Sequence, residues 1–325
     1  MARSLWVLIA AAGKPELLGR TLASLAAARK PASYRGTLVV ENGRRCGVEE
    51  IVSSFGREHK FGHFYVSEAN KSHALNCGLA QLDDALIFMT DDDVRLDSQV
   101  LVAYDRAANE SHCGEFYGGA VQIDAEHGVP PAWMRRFYPL TIAEPWSLPH
   151  EQRTVVTNQT FMGTNWAAFA SDLVAIGGFD TRLGPGGTTG AAGQETEAQR
   201  RLAARGAAAV YVPEAIAWHY LHREFLDPEW VLRRAYRHAL EWGIRRTRDS
   251  KPALSPILRA VVGQLNAHAK GLLLRLGGGE QRRFEAAFHE AKWRGRWNGV
   301  WLGRRWDDVP QLTAPAAGDF LSRAA

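Results

Sequence analysis

Leu86-Ile87-Phe88-Met89-Thr90-Asp91-Asp92-Asp93 is the stretch that decides the fold. With Ala85 it forms a short apolar run, the length of a strand buried on both faces of a parallel sheet. The aspartates mark its carboxyl end, where open α/β sheets bind ligands. Three adjacent carboxylates repel one another. A divalent cation that prefers oxygen ligands, Mg²⁺ or Mn²⁺, resolves the repulsion and would stabilise a pyrophosphate as a leaving group. A solvated acidic turn capping the next helix is the plain alternative.

Upstream of the triplet, strand and helix alternate. Apolar runs at Leu5–Ala12, Thr37–Glu41 and Phe64–Val66 read as further strands. Pro15–Ala28 repeats Leu18, Leu22 and Leu25 at helical spacing. Ser72–Leu82 places Leu75, Leu79 and Leu82 on one face, with Ser72 as its cap. This alternation predicts an α/β fold with a mostly parallel sheet flanked by helices. The N-terminal run resembles a short signal peptide, but it stops early and meets Pro15 at a helix start, so it reads as the first strand.

Downstream, residues 115–220 are less regular. A glycine-rich stretch from Gly184 to Gly193 leads into a helix over Gln194–Ala204 and a strand at Ala207–Val212. The loop is a surface connection or a mobile lid. Trp133, Trp146, Trp166 and Trp218 are core residues or a wall on which a ligand stacks.

The 325 residues are long enough for a sizeable core, and 46% hydrophobic with 23% charged residues excludes a disordered chain. Charge is uneven. Residues 223–325 carry 19 Lys and Arg against 11 Asp and Glu, whereas the first 222 carry 20 against 24. The basic C-terminal region, rich in Arg, Trp and Leu, is a solvated helical surface or meets an acidic partner such as a lipid headgroup. Ser255–Leu276 packs on the main domain or lies on a membrane surface. No apolar run reaches the roughly 18 residues of a membrane span. Nothing in the basic tail matches a nucleic-acid-binding motif, so no nucleic-acid partner is expected. Cys46, Cys77 and Cys113 are odd in number and form no C-x-x-C pair, which fits a reducing, cytoplasmic setting; peripheral attachment to the inner membrane face stays open.

Taken together, several motifs resemble the family-2 glycosyltransferases. The Asp91-Asp92-Asp93 triplet follows an apolar strand, and Pro15-Glu16-Leu17-Leu18 follows the first strand. Asn70-Lys71-Ser72-His73-Ala74-Leu75-Asn76-x-Gly78 is similar to the region beside the nucleotide. Gly163-Thr164-Asn165 and Ile176-Gly177-Gly178-Phe179-Asp180 resemble the acceptor-side signature. Gly193-Gln194-Glu195-Thr196-Glu197 resembles the Glu-Asp-x-Glu block, and Tyr211-Val212-Pro213-Glu214 with Trp218-His219 the closing strand. They follow the family's order over roughly 5–222.

The resemblance implies a GT-A fold with a C-terminal helical appendage. Residues 1–222 would be the transferase domain, with 1–100 as the nucleotide-sugar half and 101–222 as the acceptor half. Residues 223–325 would form a basic helical region. It implies inverting transfer from a nucleotide-diphospho-sugar to a hydroxyl on a glycan, a lipid-linked molecule or a small molecule, with Mn²⁺ or Mg²⁺. Glu195 would be the catalytic base. Glu41, Asn70, Asn76, Asp91 and Asp92 would contact the nucleotide sugar. Asp93, with Asp91 and His219, would bind the metal. Peripheral membrane contact through 223–325 is a further expectation.

Two departures limit the carry-over. The first strand ends Ala10-Ala11-Ala12-Gly13-Lys14 where the family usually has Pro-Thr-Tyr-Asn-Arg, so the resemblance does not fix the nucleotide. Glu195 is one methylene longer than the usual Asp. Glu197 is a second carboxylate nearby, but two residues on it points from a different helix face. Competing readings are a sugar-nucleotide nucleotidyltransferase, with Gly13-Lys14 as a trace of its phosphate loop, and an inactive glycan-binding protein.

Overall fold

The computed structural model describes residues 4–110, 114–126, 128–248, 262–263, 265–266, 269 and 279–313. Its first half follows the expected alternation: β1 (Leu5–Ala11), α1 (Pro15–Ala27), β2 (Tyr34–Asn42), α2 (Val48–Ser54), β3 (Phe61–Val66), α3 (Lys71–Leu79), β4 (Leu86–Thr90), β5 (Val94–Leu96) and α4 (Val100–Asn109). The second half adds β6 (Glu115–Asp124), β7 (Thr154–Val156), β8 (Asn165–Phe169), α5 (Ala170–Ala175), α6 (Gln194–Ala204), β9 (Ala208–Tyr220), α7 (Pro228–Arg248) and α8 (Glu280–Arg304).

The nine strands form one sheet in the order β3-β2-β1-β4-β8-β6-β9-β5, with β7 also paired to β9. β1, β2, β3, β4, β6 and β9 run one way, whereas β5, β7 and β8 run against them. Side-chain alternation divides the core between the two faces. Leu5, Val7, Ile9 and Ala11 of β1 pack with α1, α2 and α4; Trp6, Leu8 and Ala10 pack with α3, α5 and α6. All seven residues of β1 are buried, so it is covered on both sides. Leu18, Leu22 and Leu25 of α1 are fully buried; each contributes about 1.5–3 kcal/mol.

The structure corrects three details. The cap of α3 is Asn70, whose side chain accepts from the His73 N–H at 3.0 Å. The helix starts one residue earlier than expected, so Ser72 lies inside it and donates to the Leu183 carbonyl instead. The closing strand does not stop at Val212. It passes Pro213 to Tyr220, because a register shift in its pairing with β6, between Gly118 and Ala120, absorbs the proline. Trp146 and Trp166 are buried in the core, Trp133 packs edge-on to Phe284, and Trp218 lies under Arg95. They do not form a common wall. Cys113 and most of Ser255–Leu276 lie outside the described residues.

Helices α7 and α8 pack together along a seam of glycines. A Cβ on Gly299 would collide with the Leu240 carbonyl oxygen, one on Gly295 with the Tyr236 carbonyl, and one on Gly243 would lie 2.5 Å from the Arg296 carbonyl oxygen. The two backbones therefore touch. No helix among the described residues is long and apolar enough to cross a membrane.

Candidate active site

The acidic triplet splits in two directions at the sheet edge. Asp91 turns toward Lys71 of α3 and Thr164, the residue before β8. Its Oδ1 accepts from Lys71 Nζ at 2.5 Å, and its Oδ2 from Thr164 Oγ1 at 3.0 Å. The same Lys71 Nζ donates to Glu195 Oε1 at 2.8 Å. Burial alone would lower the Lys71 ammonium. The charges of Asp91 and Glu195, with a hydrogen bond to each, hold it above its ordinary value.

Glu195 sits in the first turn of α6, where the helix dipole favours a carboxylate. Gln194 Nε2 donates to the same oxygen at 2.7 Å. Gly163 makes room for it: a Cβ there would lie 2.5 Å from the Glu195 carboxyl carbon. The Gly163-Thr164-Asn165 sequence thus fits a space requirement at its first residue and an Asp91 contact at its second. Asn165 is fully buried and donates to the Ala120 and Ala215 carbonyls, tying β8 to β6 and β9. Glu197 points elsewhere, paired with Arg201 and Arg248, as its helical position predicts.

Asp93 turns the other way, toward β9. β5 pairs antiparallel with β9, placing Val94 opposite His219. His219 Nε2 lies 3.7 Å from Asp93 Oδ1, and His222 Nε2 lies 2.9 Å from Asp93 Oδ2. Burial works to raise the Asp93 carboxyl, but the His222 hydrogen bond and the charges of His219, Lys14 and His222 hold it well below the usual range. Asp92 differs. Burial pushes it up to about 7, helped by the charges of Asp93 and Asp91, against the Ala12 N–H at 3.1 Å and Lys14.

The side chains around Asp93, one carboxylate and two imidazoles, are donor types that a divalent cation takes. His219 Nδ1 faces the Thr141 carbonyl at 3.1 Å, an acceptor only, so that nitrogen carries a proton and Nε2 is the atom turned toward Asp93. His222 Nε2 meets Asp93 on one side and Lys14 Nζ, at 3.3 Å, on the other. The first contact asks for a proton and the second for a lone pair. A cation would satisfy both imidazoles and the carboxylate, and a mixed N/O set suits Mn²⁺ better than Mg²⁺. Among the described residues, no three His, Cys, Asp or Glu side chains are arranged to hold a metal on their own. Asp91, held by Lys71 and Thr164, faces away from the two histidines. Phe225 packs against both imidazoles and fixes their planes.

The remaining expected residues sit around this edge in supporting positions. Glu41 is buried, with Oε1 accepting from the Cys46 N–H at 2.7 Å and Oε2 facing His63 Nε2 at 3.0 Å. Burial opposes its ionisation, but those two partners hold its carboxyl below the ordinary value. Asn76 bonds both N–H and C=O of Phe179, and Asn70 Nδ2 donates to the Thr181 carbonyl. Both asparagines anchor the 178–186 segment to α3.

A family model for glycosyltransferase like family 2 matches residues 2–239. The chain belongs to that family. It is a glycosyltransferase with the α/β fold expected of it. No curated protein matches it in sequence. Solved structures do. A mannosyltransferase from Pyrobaculum calidifontis, in complex with GDP-Man and Mn²⁺, is 15% identical with a TM-score of 0.58, covering 95% of this chain and 89% of that one. S. aureus TarS 1–349 in complex with UDP-GlcNAc is 13% identical with a TM-score of 0.53, covering 94% and 92%.

Three residues of this glycosyltransferase's cleft escape sequence reasoning. Lys71 lies inside a quoted motif, yet nothing local shows that it spans Asp91 and Glu195. His222 follows the expected end of the last strand. Arg234, on α7, lies where Glu195 and Asp91 act on its charge; burial and neighbouring Arg237 lower its guanidinium, and its Nε has no hydrogen-bond partner. Arg237 fixes this part of α7 by donating to the Gly190 and Gly184 carbonyls.

Proposed function

We propose that the protein is an inverting glycosyltransferase that moves a sugar from a nucleotide-diphospho-sugar to an acceptor hydroxyl with the help of a divalent metal. The observation that carries this reading is the convergence of Asp91, at the end of β4, and Glu195, in the first turn of α6, on one lysine. Glu195, with its second oxygen free of these contacts, is the base that takes the acceptor hydroxyl's proton as that oxygen attacks the anomeric carbon. A single displacement from the face opposite the leaving nucleoside diphosphate inverts the configuration.

Asp93, His219 and His222 are the side chains that would hold the metal, with diphosphate oxygens completing the shell. When bound, the metal neutralises charge on the departing diphosphate. Arg234, whose Nε has no hydrogen-bond partner, offers its guanidinium to the same anionic group. Asp91 and Asp92 border the donor, while Glu41, Asn70 and Asn76 act by shaping its walls. Residues 1–222 are read as the transferase body and the basic stretch from 223 onward as a second part, whose α7 borders the site through Arg234.

The mannosyltransferase and TarS structures, with GDP-Man and UDP-GlcNAc bound, support a nucleotide-sugar donor. Screening UDP-, GDP- and dTDP-sugars by thermal shift with Mn²⁺ identifies the donor. NMR of the product then reads the anomeric configuration. Glu195→Gln, which keeps the Lys71 contact, should retain donor binding and lose about 10²–10⁴-fold in turnover. A retained configuration, or full turnover in this variant, overturns the reading.

A further inference from the structure

The outer side of the α7–α8 pair has no part in the cleft, and its chemistry is unusual for a protein surface. Trp293, Trp297 and Trp301 recur every four residues along α8 and so lie on one stripe, on the side away from the glycine seam. Trp297 and Trp301 stack edge to face at 5.8 Å. On α7, Trp242 joins the stripe through Arg296, whose guanidinium lies 4.8 Å from the Trp242 ring and 4.7 Å from the Trp293 ring. Arg304 lies 5.5 Å from the Trp301 ring. Trp301 is 46% exposed and Trp242 38%, and nearby Val262 and Leu265 are 48% and 63% exposed. Gly263, next to Val262, abuts the Trp293 ring, so this apolar surface is continuous with the stripe.

A water-facing surface gains nothing from exposed tryptophans. A bilayer interface does: the indole ring sits at the headgroup level, its apolar body toward the acyl chains and its N–H in the wet layer. The interleaved cations match an anionic headgroup layer. Among the described residues, Arg246, Arg296 and Arg304 have no carboxylate partner, and Arg246 lies one turn beyond Trp242. Each Lys or Arg near an anionic surface adds to the attraction. No helix among the described residues is long and apolar enough to cross a membrane, and this chemistry suits adsorption in the plane of the interface.

We propose that the tryptophan–arginine face of α7 and α8, built on Trp242, Trp297, Trp301, Arg246, Arg296 and Arg304, docks the enzyme on an anionic lipid bilayer. Trp242 lies eight residues after Arg234 on α7, so the cleft stands about 12 Å along the helix from the docking tryptophan.

Full-length protein is tested by co-sedimentation with vesicles of phosphatidylcholine alone and of phosphatidylcholine with 30% phosphatidylglycerol, alongside quenching of tryptophan fluorescence by brominated lipid. The expected result is binding to the anionic vesicles, quenching by brominated lipid, and release at high salt. Trp242→Ser with Trp301→Ser should weaken binding at least tenfold, and Arg246→Gln with Arg304→Gln several-fold. Far-UV circular dichroism and donor binding should stay at wild-type values in both. Absence of binding to anionic vesicles, or equal binding by the tryptophan variant, overturns the proposal. Concentration-dependent dimerisation abolished by the tryptophan substitutions, without vesicle binding, overturns it in favour of a second copy of this chain. These readouts do not depend on turnover, so they stand or fall apart from the proposed reaction.

Discussion

Asp91 and Glu195 share one counterion: both carboxylates bond to the Nζ of Lys71, at 2.5 and 2.8 Å. Without that ammonium, two negative groups face each other in a partly buried cleft, and neither keeps its place. Lys71→Met should therefore lower turnover by about 10²-fold through misplacement of the base, with a smaller change in donor affinity. Steady-state kinetics beside calorimetric donor titration separate the two. Equal losses in both would assign Lys71 to donor binding alone.

The Asp93 cluster predicts a metal response. Mn²⁺ at 100 times its dissociation constant should stabilise the wild-type protein by about 2.7 kcal/mol, and EDTA should remove the effect. Asp93→Ala should show neither response, and His219→Ala and His222→Ala weaker ones. Undiminished turnover after chelation would exclude a required metal.

Arg234 makes a prediction about the donor's charge. Arg234→Ala should weaken binding of a nucleoside diphosphate by about 1.5–3 kcal/mol, the range for hydrogen bonds to a charged group, and leave a nucleoside much less affected. Isothermal titration with both ligands reads the difference.

Glu41 supplies a pH dependence of stability. Its folded carboxyl lies below its ordinary value, so the native state favours the ionised form. That contribution is present above the unfolded value of about 4.3 and is lost as the pH falls through the folded one. Glu41→Gln should cost about 1–3 kcal/mol near pH 7, and the gap from wild type should close in acid. Urea melts at several pH values test this; a gap that widens in acid would contradict it.

Gly299 predicts the outcome of filling the helix seam. With the Leu240 carbonyl and Gly243 against it, Gly299→Val must push α7 from α8 and should destabilise the protein by about 3 kcal/mol or more. Because α7 also carries Arg234, donor binding should weaken in parallel.

The sequence disclosed what short-range pattern controls. β1 to β4 stand out as brief apolar runs, α1 by the spacing of Leu18, Leu22 and Leu25, and α6 by the glycine stretch before it. The acidic triplet stood out because it lies at the end of such an element, whereas Glu195 was singled out only through the resemblance of its motif. His222 was not, because it enters the site only when β9 runs beyond Pro213, which depends on a register shift in its neighbour β6. Lys71 and Arg234 gain their meaning from partners more than a hundred residues away or on another helix, which no local period encodes. Gly295, Gly299 and Gly303 stand four residues apart on α8, but only the facing α7, with Gly243, shows why a side chain there is intolerable.

The pairing of β5 with β9 has a consequence for synthesis. During translation the acidic triplet emerges roughly 125 residues before His219 and His222, a lag of about 6–25 s at ordinary elongation rates. For that interval the nascent chain carries three clustered carboxylates without the imidazoles that later face Asp93. Early strands can pair as they appear, but the catalytic edge cannot close until the last strand is made. A ribosome stalled before residue 219 therefore presents a nearly finished sheet with an open, acidic mouth, in which Lys71 and Lys14 balance Asp91 and Asp93 without help from the last strand.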